Sequence, residues 1–169
     1  AFIKSYEMSI NAGIKPIAGI ELQVESSVGG AKSEGRVILL AMNNSGYARL
    51  IELASLAYTE SPRREVLPED IILSDCENLI VLSGGIKGHI WDVVQRNDLK
   101  TAITILKKWK EKLGNRYFLE LTRTGRMQEE DHVRELLKLG TKEGVALVAT
   151  NDVCFEDYDD YEAHEARVC

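Results

Sequence analysis

Short, unbroken apolar runs alternate with longer amphipathic stretches, and this alternation constrains the fold more than any other feature of the chain. Arg36–Ala41 (RVILLA), Asn78–Ser83 (NLIVLS), Arg116–Leu121 (RYFLEL) and Val145–Thr150 (VALVAT) are each about one strand long and mostly apolar. A strand with one wet face alternates apolar and polar residues, whereas a strand covered on both faces does not. These runs therefore predict strands buried between helices. Lys15–Val24 (KPIAGIELQV), entered through Pro16, adds a fifth.

The stretches between them carry helical spacing and helical punctuation. Phe2–Asn11 reads as the end of a helix closed by Ala12-Gly13. Asn44 or Ser45 caps a helix over Tyr47–Tyr58, in which Leu50, Leu53, Ala54 and Ala57 recur on one face. Asp98 caps a helix to Leu113 with the stripe Ala102, Ile105, Leu106 and Trp109, and Gly114 ends it. Gln128–Lys142 is a helix stopped by Gly144, and Asp157–Cys169 is a final one. Ser26–Gly35, holding Gly29-Gly30, and Glu60–Pro68, with two prolines, read as loops, and Leu67–Ser74 as a short helical turn. Strands alternating with helices predict an α/β fold with a mainly parallel sheet or barrel, and about five strands are too few to close an eight-stranded barrel. An incomplete barrel forming one domain over residues 1–169 is the expectation.

Composition excludes several functions. With 44% apolar and 28% charged residues the chain has an ordinary globular balance, and no apolar run approaches the roughly 18 residues of a membrane span. A net charge of -6 makes it a poor candidate for gripping nucleic acid by itself, since duplex binders present a basic face. The acidic stretch Glu156-Asp157-Tyr158-Asp159-Asp160 reads as a solvated loop and helix start. Cys76, Cys154 and Cys169 share no CxxC spacing, which fits a reducing compartment. The opening lacks Met and lies inside a helical pattern, so the expectation is an internal piece of a longer chain.

In parallel α/β folds, chemistry sits where strands end. Four places qualify: Glu21, Ser83-Gly84-Gly85, Thr122-Arg123-Thr124 and Asn151-Asp152. Glu21 and Asp152 are carboxylates on different strands, able in principle to bind a divalent metal or to act as acid and base. A hydrolytic zinc or manganese centre needs more ligands. Of the three histidines, His89 and His132 read as near-surface helical residues with structural or solvated roles, and His164 lies within the last helix. No P-loop, GxSxG or HExxH occurs. Gly84-Gly85 serves either as a tight strand-to-helix turn, the preferred reading, or as an anion cradle. Arg123 and Arg126 pair with an acidic partner or a phosphate, or simply line a solvated loop.

At these same places AGIKPIAGIELQV, LLAMNNSGYARLIELASLAY, NLIVLSGG, RYFLELTRTGR and VATNDVCFEDYDDYEAHEARV stand in order from Ala12 to Val168. As a set they resemble the polymerase-and-histidinol-phosphatase (PHP) domain of bacterial replicative polymerases. LSGG and Tyr161-Glu162-Ala163-His164-Glu165 look most like the proteobacterial alpha subunits. The resemblance implies a distorted (β/α)7 barrel. It also implies a parent DNA-directed DNA polymerase, a nucleotidyltransferase whose Mg2+-binding palm lies beyond Cys169. In members that keep metal, zinc or manganese ligands come from an opening HxH and an Asp-His pair, expected before Ala1, and from later motifs. Glu21 and Asp152 match two of those positions. Arg36, Gly85 and Cys154 stand where such members have His, Cys and His, and Thr124 replaces a further histidine. Arginine has no lone pair to give a metal, and glycine has no ligand atom, whereas a cysteine thiolate can still bind zinc.

The resemblance therefore implies no catalytic residue and no resident metal in this segment, with Arg36 filling the emptied site by pairing with Glu21 or Asp152. The implied role is a non-catalytic scaffold in the cytoplasm that docks the proofreading exonuclease (epsilon) subunit, among other replicase subunits, with DNA held mainly by absent domains. The alternative is a metal-dependent phosphoesterase, a 3'-5' exonuclease or pyrophosphatase, completed by the missing histidines.

Overall fold

The apolar runs line up side by side in a single six-stranded sheet in the computed structural model, which describes residues 2–59, 66–154 and 157–168. The strands are β1 (Gly19–Val28), β2 (Ala31–Ala41), β3 (Val66–Pro68), β4 (Leu79–Leu82), β5 (Tyr117–Thr122) and β6 (Ala146–Thr150). The helices are α1 (Phe2–Asn11), α2 (Asn44–Thr59), α3 (Glu69–Leu73), α4 (His89–Val94), α5 (Leu99–Leu113), α6 (Glu129–Glu143) and α7 (Tyr161–Val168). The sheet order is β3-β1-β2-β4-β5-β6. β1–β3, β4–β5 and β5–β6 are parallel, and only the two pairings made by β2 are antiparallel. The sheet stays open, as an incomplete barrel does, and alternates with helices as expected.

Two sequence expectations need correction. Ser26–Gly35 is not a loop: it forms the far half of a β1–β2 hairpin whose register runs from Gly19↔Leu40 to Val28↔Ala31. Gly29 and Gly30, at φ +56° and +86°, supply the positive dihedrals of a two-residue hairpin turn. The polar residues that disguised these strands are satisfied inside them. Ser26 Oγ donates to Glu69 Oε2 at 2.5 Å, and Ser33 Oγ donates to the His89 carbonyl. Within Glu60–Pro68, residues 60–65 lie outside the described residues, and Val66–Pro68 is a sixth strand at the sheet edge, where a proline without an N–H is tolerated. The final helix is described as Tyr161–Val168, entered by a 3-10 turn at Tyr158–Asp160, and Cys169 lies outside the described residues.

One sheet face carries the core. Val24, Val37, Leu39, Leu79, Val81 and Leu119 are fully buried there, against Leu53 of α2 and Ile105, Leu106 and Trp109 of α5. Each such side chain contributes about 1.5–3 kcal/mol on leaving water. α5 is set as its sequence predicts: the Asp98 side chain accepts from Thr101 N at 3.1 Å, and Gly114 stops the helix. The other face is only partly covered. Ile20, Ile38, Leu40 and Ile80 are half-buried, and the Leu40–Ile80 end floors a groove of about 860 Å³ walled by α1 and by Ile17, Met42 and Tyr47. α1 buries none of its residues. No described helix is long and apolar enough to cross a membrane.

Candidate functional site at the strand ends

Register decides which side chains meet. Glu21 pairs with Ile38, and Ile38 with Leu82, so Glu21 is level with the last residue of β4 although it lies early in β1. Arg36, opposite Gln23, is the diagonal neighbour of Glu21 on the same face of the hairpin. Its Nη1 lies 3.0 Å from Glu21 Oε2, and its Nε donates to the Gly84 carbonyl at 2.8 Å. The Arg36 side chain is 13% exposed and that of Glu21 51%, so the guanidinium is largely enclosed while the carboxylate faces water. Gly84, at φ +83°, has to be glycine, because a Cβ there would lie 2.1 Å from the Arg36 carbonyl oxygen.

Asp152 lies just past β6 and is likewise engaged. Arg126 Nη1 is 2.7 Å from its Oδ2, and this hydrogen bond, backed by the fields of Arg126, Arg36 and Lys87, holds the carboxyl below its usual range. Cys154 is exposed and unbridged, with Sγ 4.0 Å from Asp152 Oδ1. Thr124 is engaged by Glu129. Its Oγ1 donates to Glu129 Oε1 at 2.7 Å, while Thr124 N, Gly125 N and Arg126 N converge on Glu129 Oε2 at 2.6, 2.9 and 3.1 Å. The Thr124 hydroxyl bond, followed by those backbone donors, lowers the Glu129 pKa. Arg123 pairs with Glu130 at 2.7 Å, so both arginines of the loop have found acidic partners within the chain.

Gly84-Gly85 is a tight turn into a 3-10 segment (Gly85–Lys87), both residues having positive φ. A side chain on Gly85 would start 3.0 Å from Thr122 Oγ1 and 3.8 Å from Glu120 Oε2. Glu120, missed in the sequence because it sits mid-strand in LEL, is 3% exposed and accepts from Thr150 Oγ1 at 2.6 Å through Oε1. Glu129 was missed too, and its proximity to the TRTG loop was the available signal.

The histidines need correction. His89 and His132 are fully buried, not near the surface. The His89 ring packs on Trp109 and lies 3.4 Å from the Tyr117 hydroxyl, and the His132 ring meets Trp91 edge-on. Burial pushes each imidazole down to about 4, so both are neutral near pH 7. Among the described residues neither ring forms a hydrogen bond with Glu21 or Asp152. His164 is half-buried in α7.

The ensemble does not fit a polynuclear metal centre. Glu21 and Asp152 are each paired with an arginine through one carboxylate oxygen, and a guanidinium beside each carboxylate opposes a cation there. Among the described residues no group of three or more His, Cys, Asp and Glu side chains is placed to hold a metal ion.

Comparison with known proteins agrees with this architecture. The profile of the PHP domain matches residues 1–124. The DNA polymerase III subunit alpha of Pseudomonas aeruginosa is 35% identical over 174 residues, covering 100% of this chain. Those of Escherichia coli K12 and Vibrio cholerae are 36% and 32% identical over 168 residues, covering 98% of it. The chain spans 14% of the length of each of these relatives.

Proposed function

Because the chain belongs to the PHP domain family, we propose that it works as a non-catalytic scaffold within the alpha subunit of a bacterial replicative DNA polymerase. The whole protein would be a DNA-directed DNA polymerase in the cytoplasm, with Mg2+-dependent nucleotidyl transfer carried out by other domains. This segment would support that core and dock the proofreading exonuclease subunit.

The observation that carries this reading is the Arg36 guanidinium, seated between Glu21 and the Gly84 carbonyl. A metal-dependent phosphoesterase gathers carboxylates and imidazoles around cations, and here the protein's own cations gather around the carboxylates instead. What the domain keeps intact is its core and its surface. The apolar wall of the open groove, including Ile17 at 65% and Met42 at 52% exposed, is the kind of patch a monomeric surface rarely leaves uncovered.

Metal analysis of the full-length protein, together with binding to the proofreading subunit, tests the proposal. A stoichiometric complex with that subunit, in protein carrying no tightly bound zinc or manganese, is expected. Stoichiometric zinc or manganese that is lost in Asp152→Ala would overturn it in favour of the phosphoesterase.

A further inference from the structure

We draw no further inference here: the strongest candidate, the apolar groove between α1 and the Leu40–Ile80 end of the sheet, carries none because nothing in the structure shows what covers it.

Discussion

At the scale of single residues, Arg36 and the two buried histidines carry the most testable physics. Arg36→Ala removes a charge-assisted bond to the Gly84 carbonyl and the partner of Glu21. It should lower stability by about 1–3 kcal/mol in urea unfolding, because one acceptor is left without its donor in a partly enclosed site. Arg126→Ala breaks a pair that is 52% exposed on the arginine side, and should cost under about 1 kcal/mol. The histidines predict acid lability. Their folded pKa values of about 4 lie below the unfolded value of about 6.5, so between those limits the unfolded chain binds more protons. Stability is therefore full above about pH 6.5 and falls as pH drops towards 4, with each histidine contributing up to about 1.4 kcal/mol per pH unit. The urea midpoint measured from pH 7.5 to 4.5 should fall, and His132→Phe should flatten that slope. The depth of these histidines was not legible in the sequence. His89 opens a six-residue helix with five buried positions, and a helix so short offers too few turns to reveal its inner face.

At the scale of elements, periodicity served well where a stripe ran long. α5 and α6 begin and end within a residue or so of expectation, because Asp98, Gly114 and Gly144 punctuate clear patterns. The β1–β2 hairpin defeated the same logic, since serine hydroxyls inside the strands imitate loop composition and only tertiary partners satisfy them. The candidate site divided similarly. Motif order singled out Glu21, Arg36, Gly85, Asp152 and Cys154, but the longer hairpin puts Arg36 in the middle of β2 and Glu21 early in β1 rather than at strand ends. The partnership of Thr124 with Glu129, and the deep carboxylate of Glu120, needed the fold. Close approach of elements also makes some glycines indispensable. α2 comes against the residue just ahead of β4 through Gly46, where a Cβ would lie 2.2 Å from the Asn78 carbonyl oxygen. Gly46→Ala should destabilise by about 1–3 kcal/mol or more, read as a lower melting temperature, even though alanine is the better helix former.

Across the whole molecule, the open sheet, the groove and an unburied first helix leave apolar surface exposed on an acidic chain, which agrees with the scaffold reading. The hairpin has a bearing on how such a piece takes shape. Its ten paired positions close through a turn of two residues, so its ladder forms with the least loop-closure entropy in the sheet, whereas β5 and β6 meet only after the chain between them is ordered. In pulse-labelled hydrogen exchange, the amides of Leu22 to Val37 should be shielded before those of Ala146 to Thr150. Arg36 rides on that early ladder, so the guanidinium would already stand beside Glu21 while the later strands were still arriving, and a nascent chain would meet any passing ion with that position taken.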